Sequence, residues 1–263
     1  MTRVSDIIRF METVAPQAKK ESWDNVGLLC GRENKEVRTV LIALDPFEDT
    51  AREAAEMGAD LILTHHPLIF HPLYSVTEAS PIGRTLSFLI RHDISAFCAH
   101  TNLDIAPEGV GQQLAKALGL EDITVIEPIE TDRKGSVWGL LRRGTVQEQD
   151  LETFLSRVKQ TLGVPVLRYA SGGKAVHHVA VGGGACAEEW PAVLRAGCDT
   201  YVTSDVKYND FWDARDAGLT IIDAGHFYTE NPVCGYLREI VSAAFPELKV
   251  VISQQHRDCM KFY

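Results

Sequence analysis

"MGADLILTHHPLIF", residues 57 to 70, is the stretch that decides the fold. Its DLILT run (60 to 64) is short and apolar, with Gly58 just before it and Pro67 just after it, which predicts a buried strand of a parallel sheet. Ahead of it DTAREAAEMG (49 to 58) reads as a helix closed by Gly58. Where the strand surfaces, two imidazoles, His65 and His66, stand side by side. Neighbouring side chains on extended backbone point to opposite faces, so the pair shares one site only if the chain turns as the strand ends. Pro67 favours that turn.

Working outward, strands and helices alternate. Ile7, Ile8, Met11 and Val14 recur at helical spacing behind Ser5, a candidate N-cap, and VRTVLIAL (37 to 44) reads as a buried strand. Beyond the histidines come a helix in PIGRTLSFLIRHD (81 to 93), a strand in ISAFCA (94 to 99) and a helix in GVGQQLAKALGL (109 to 120). That order implies α/β architecture with mostly parallel sheets.

The later half repeats the theme. Residues 37 to 64 laid over 176 to 203 without a gap put VRTVLI on VHHVAV and MGADLILT on AGCDTYVT, with Gly, Asp and Thr in register. His65 and His66 then fall on Ser204 and Asp205. A looser match sets ISAFCAHTNLD (94 to 104) on LTIIDAGHFYTE (219 to 230). Between the halves, 124 to 170 holds a polar turn at TDRKG, a strand-like VWGLLRRG and a helix whose Leu151, Phe154, Leu155, Val158 and Leu162 share a face. Two related α/β halves follow: residues 1–124 with the HH and HTNLD motifs, and residues 125–263, of which 226–263 returns to the first half to complete a site.

In open parallel sheets functional residues gather at the carboxyl ends of strands, where loops converge on a ligand. Three strand ends here carry metal-type side chains: His65 and His66 after DLILT, His100 and Asp104 after ISAFCA, His226 and Glu230 after LTIIDAG. An isolated histidine at a strand end is more often a hydrogen-bonded surface residue than a ligand. Three such ends, two of them related by the repeat, favour a metal site instead. Four histidines and two carboxylates exceed the needs of one zinc ion, and two ions sharing a bridging carboxylate would use them. Mixed imidazole and carboxylate ligation suits zinc, iron or manganese. Pro232 places Glu230 at the start of a helix continued by Val233, Leu237, Ile240 and Val241, where the helix dipole favours a carboxylate.

The chain of 263 residues, 45% hydrophobic, can bury a substantial core, and its formal charge of −10 argues against general nucleic-acid binding. Six scattered cysteines without a C-x-x-C pair read as reduced thiols. No apolar run reaches the length of a membrane span, and the N-terminal stretch mixes Asp6, Arg9 and Glu12 into its apolar positions, so a soluble cytoplasmic protein is expected.

GADLILTHHPLIF, HTNLDIAPEGV and DAGHFYTE, with WDNVGLLCG near the start, resemble the dinuclear-metal-centre proteins known as GTP cyclohydrolase 1 type 2 homologues, or NGG-interacting-factor-like proteins. The resemblance covers essentially the whole chain, in the short form of the family. It implies a toroidal homohexamer with metal pairs facing an internal cavity. It also implies His65, His66, Asp104, His226 and Glu230 as ligands, Asp104 and Glu230 as candidate bridges, and His100 as a nearby acid–base residue. One departure is Asn209, where the family often carries histidine.

Together these features lead to two divalent ions per chain and a metal-dependent hydrolase acting on a nucleotide or other phosphorylated small molecule. The rival is a metal-handling or protein-interaction module without turnover. Trp23, Asp24 and Asn25 either line a cavity entrance, as the resemblance implies, or begin a turn. GGG at 182 to 184 reads as a tight strand-to-helix turn rather than a phosphate cradle, since it lacks the lysine and spacing of a P-loop. Arg142 and Arg143 are expected at the surface or at a subunit contact. His177 and His178 are expected on opposite faces of a strand.

Overall fold

In a computed structural model describing residues 1–263, DLILT folds as the strand Leu61–Thr64, with all four residues buried. The chain divides into two units. One comprises Met1–Leu103 and Val233–Arg257, the other Asp104–Pro232 and Asp258–Tyr263.

The first unit holds a five-stranded sheet in the order Gly27–Cys30, Ser95–Cys98, Leu61–Thr64, Thr39–Ala43, Lys249–Ile252. Four strands run parallel, with Val40 opposite Leu61, Leu61 opposite Ser95 and Lys249 opposite Thr39. Only the edge strand Gly27–Cys30 is antiparallel. Parallel strands covered on both faces must be apolar throughout, which is why the inner three stood out as hydrophobic runs while the edge strand Lys249–Ile252 did not. The helices Glu48–Glu56 and Pro81–Arg91 supply Ala51, Ala54, Leu86 and Leu89 against Leu41, Ile62 and Ala96.

The second unit holds a six-stranded sheet in the order Glu121–Ile126, Leu141–Gln149, Val176–Val181, Thr200–Thr203, Thr220–Asp223, Arg168–Ala170. Its middle three strands are parallel to one another, but the outer three attach antiparallel, so the expectation of mostly parallel strands is corrected for this half. Edge strands need not bury both faces. Glu121–Ile126 and Arg168–Ala170 are largely exposed and carry no continuous apolar run to announce them.

The repeated residues do the same work in each unit. Asp60 accepts hydrogen bonds from the amides of Arg38 (2.8 Å) and Thr39 (3.1 Å), and Asp199 accepts from those of His177 (3.1 Å) and His178 (2.7 Å). Each thereby ties the start of one parallel strand to the entry of the next. Gly58 and Gly197 both take positive φ, +68° and +78°, just past a helix end, a conformation that favours glycine.

Arg142 departs from expectation. It is 1% exposed, and its guanidinium donates to the carbonyls of Gly139 (2.5 Å) and Ala106 (2.8 Å) and to Gln112 Oε1 (3.2 Å). Burial pulls its pKa down to about 10. Arg143 is exposed. On the Val176–Val181 strand His177 is half-buried and bonded through Nδ1 to the Val146 carbonyl, 2.6 Å, while His178 is exposed. Asn209 lies exposed on the helix Tyr208–Asp216.

Candidate metal centre

The carboxyl edge of the first unit's sheet brings three imidazoles together. His65 and His66 follow the Leu61–Thr64 strand and His100 follows Ser95–Cys98. One ligand-type atom from each lies within 4.8 Å of the others. His65 is fully buried, and the other two rings are partly exposed. The turn expected at Pro67 is present, since Thr64 Oγ1 donates to the His66 carbonyl at 2.7 Å.

Each ring is held by its Nδ1. The His65 nitrogen meets the Ala99 carbonyl at 2.9 Å, that of His66 meets Asp45 Oδ1 at 2.6 Å, and that of His100 meets Asp24 Oδ1 at 2.9 Å. A carbonyl or carboxylate oxygen only accepts, so Nδ1 carries the proton in each case. The lone pair of the neutral ring therefore resides on Nε2. This is the arrangement by which metal-binding histidines are oriented and made more basic.

The second unit carries the complementary set. His226 and Glu230 stand one turn apart on the short helix His226–Glu230, with Nε2 and Oε2 at 3.1 Å. Ligand oxygens of Asp104 and Glu230 lie within 4.8 Å of each other. Glu230 thus ends this short helix instead of opening the longer Pro232–Ala244, which corrects the expected placement. The helical i, i+4 spacing accounts for the H-x-x-x-E pattern directly. His226 Nδ1 meets Asp205 Oδ2 at 2.7 Å. Asp205 is the residue the repeat sets on His66, and it adopts φ +54°.

The GGG turn proves to be a tight turn with a further consequence. A Cβ built on Gly184, φ +64°, would collide with Glu230 Oε1, and one on Gly183 would press on Val110 and the Glu230 side chain. The turn leaves room for the carboxylate. Ser204 Oγ donates to the Gly184 carbonyl at 2.6 Å, and the Gly184 amide donates to Thr229 Oγ1 at 3.0 Å.

Electrostatics separate two of the histidines. Burial lowers the pKa of His100, His65 reinforces this, and the Asp24 bond opposes it, so the ring is biased towards its neutral form. Burial also disfavours the His226 imidazolium, yet the bonds from Asp205 and Glu230 push its pKa up to about 10. A cation is what this acidic corner favours. Imidazole nitrogens and carboxylate oxygens are the donor set of zinc, iron or manganese, and the residues fit such an ion.

Sequence reasoning missed Asp45, and it singled out Asp24 only as lining a cavity entrance or beginning a turn, not as the partner of a histidine ring. Asp45 closes the Thr39–Ala43 strand's exit and Asp24 sits in WDNVG. Asp24 also takes the Thr101 amide (3.1 Å) and hydroxyl (2.5 Å), so that segment is more than a turn. The carboxyl-edge rule that found the histidines applies equally to Asp45. Asp24 lies at no strand's carboxyl end, and only the WDNVG resemblance drew attention to it. A cavity of about 550 Å³ lined by Arg32, Lys35, Arg38, Asp60 and Asp93 lies at the opposite, amino edge of the sheet. Its charges pair internally, Arg32 with Asp93 and Lys35 with Asp60, and it carries none of this chemistry.

A family model described as Duf34/NIF3 (NGG1p interacting factor 3) matches residues 2–259. A Clostridium perfringens protein named GTP cyclohydrolase 1 type 2 homolog is 32% identical over 262 residues, covering 99% of each chain. A Streptomyces coelicolor protein of the same name is 34% identical, covering 98% of this chain and 93% of its own. Among solved structures, the Staphylococcus aureus hypothetical protein SA1388 superposes with a TM-score of 0.92 at 30% identity, covering 99% of both chains. A Bacillus cereus protein related to NIF3 reaches 0.91 at 28% identity, covering 100% of this chain and 99% of its own.

Proposed function

Because this chain belongs to the Duf34/NIF3 (NGG1p interacting factor 3) family, we propose that it is a metal-dependent hydrolase of a nucleotide or other phosphorylated small molecule. Two divalent ions per chain would be held by His65, His66, Asp104, His226 and Glu230, the two carboxylates being the candidates for shared ligands. The observation that carries this reading is the set of Nδ1 contacts: every histidine of the two clusters donates backwards to an oxygen and so offers Nε2 forwards. When bound, a pair of such ions polarises a phosphoryl oxygen and makes a water nucleophilic at neutral pH.

This chain's own contribution is then proton handling and orientation. His100, biased to the neutral form, accepts a proton at Nε2 while Asp24 holds the Nδ1 proton. Its relatives' name makes GTP the first nucleotide to test. The homohexamer implied by family resemblance belongs to the same proposal. Exposed Leu73, Tyr74 and Val76 are apolar surface that self-association would cover.

One observation favours a metal-handling module instead. His100 lies close enough to His65 and His66 to serve as a further ligand, which would close a position a substrate needs. Elemental analysis of the purified protein and of a His65→Ala, His66→Ala double variant, followed by a turnover screen of nucleotides and phosphoesters, decides. About two ions per chain, lost in the variant, with turnover abolished by His100→Ala, is the expected result. Stoichiometric metal without turnover of any phosphoester would leave the handling module. No stoichiometric metal after reconstitution would overturn both.

A further inference from the structure

The strand Thr39–Ala43 runs out of sheet partners at Leu44. Its parallel neighbours pair with it only as far as Ile42 and Ala43. The Leu44 amide beyond that point needs another acceptor. It donates to His256 Nδ1 at 3.1 Å, from a segment more than two hundred residues away in sequence. The Leu44 carbonyl in turn accepts from the His66 amide at 2.9 Å, and the Asp45 carbonyl accepts from Thr50 Oγ1 at 3.0 Å. Asp45, with Leu44 clamped on one side and its own carbonyl on the other, presents Oδ1 to His66 Nδ1.

The segment that delivers His256 is itself built. Glu53, on the helix Glu48–Glu56, accepts from the Ser253 hydroxyl and from the amides of Gln254 (2.8 Å) and Gln255 (3.2 Å). Ser253 is buried, its amide donates to the Ile42 carbonyl at 2.8 Å, and its hydroxyl accepts from the His256 amide at 3.0 Å. One carboxylate thus folds 253–255 into a turn, and that turn aims an acceptor nitrogen at the single amide that sets where Asp45 begins.

We propose that the 253–256 segment is part of the metal centre, with His256 a positioning residue for His66 that acts through Leu44 and Asp45. The proposal rests on the reading of His66 as a metal ligand. Asparagine at 256 places Oδ1 where histidine has Nδ1 and keeps an acceptor for the Leu44 amide. Leucine fills the space without one.

The test compares wild type, His256→Leu, His256→Asn and Glu53→Gln by crystal structure and by Co²⁺ titration followed through its visible absorption bands, with thermal melting to confirm folding. In His256→Leu the Asp45–His66 bond opens, Co²⁺ affinity falls at least about tenfold and the band envelope changes, as loss of an outer-sphere partner does. His256→Asn restores both. Glu53→Gln, which leaves one accepting oxygen where the carboxylate has two and so loosens the segment without touching His256 or Leu44, repeats part of the loss and serves should the leucine variant fail to fold. An intact Asp45–His66 bond with wild-type Co²⁺ affinity in His256→Leu, or the absence of rescue by asparagine, overturns the proposal. Wild-type protein that binds no Co²⁺ overturns the metal reading instead. The opening of the Asp45–His66 bond in the leucine variant would still establish the positioning role.

Discussion

Asp205 stands in the second half where His66 stands in the first, and the exchange puts a carboxylate that holds the His226 ring where the first half has an imidazole. If those rings hold metal as proposed, removing such a partner leaves each ring in place but loosely aimed. Asp205→Ala and Asp45→Ala should each weaken metal binding by about 10–100-fold, read by competition with a chelating dye, with little change in secondary structure. Glu230→Gln should remove or unbalance one ion with the fold intact, and unchanged metal content would count against its role. His226 adds a pH signature to the metal-free protein. Its pKa in the folded chain is raised from 6.5 to about 10, so the stability it contributes is full below pH 6.5 and is lost as pH climbs through 10. Urea midpoints of chelator-treated protein should fall across that window, and His226→Ala should flatten the fall. An ion must displace the same proton, so metal affinity should rise with pH over that range.

At the scale of elements, the two repeated aspartates act as strand-entry clasps. Asp199 accepts from two amides and also from Thr200 Oγ1 at 2.7 Å, whereas Asp60 receives two amides and faces Lys35. Asp199→Ala should cost about 1–3 kcal/mol in denaturant unfolding, since it leaves the amides of two strand residues without their acceptor. Arg142 is the sharper case. The buried guanidinium pins the loop after Asp104, at Ala106, to the start of the Leu141–Gln149 strand. Arg142→Ala should therefore destabilise by several kcal/mol, on the order of 3, by taking the guanidinium's donors from the Gly139 and Ala106 carbonyls and emptying the buried space it fills. An unchanged denaturation midpoint would refute the load assigned to it. Sequence could not place this residue, because an arginine beside another arginine on a strand reads as surface until the carbonyls around it are known.

For the whole molecule, ion binding and folding should be linked. Metal at 100 times its dissociation constant adds about 2.7 kcal/mol to stability, equivalent to a rise in Tm of about 5–10 °C for a chain of this size. The His65→Ala, His66→Ala variant should lose that shift. No helix of the protein is long and apolar enough to cross a membrane. By itself the sequence determined the order of the inner parallel strands and the helices between them in the first half, because doubly covered strands must be continuously apolar. It also determined the ligand-type residues, because parallel strands deliver them at their carboxyl ends. It determined the family as well, through motifs that stand in order along the chain. Only the tertiary structure decided which oxygen holds each Nδ1, that Gly184 vacates space for Glu230, that the second sheet has antiparallel edges, and that the 253–256 segment reaches the Leu44 amide. Those are contacts between residues far apart in sequence, set by packing and by the need to satisfy buried polar groups, and periodicity along one chain carries no record of them.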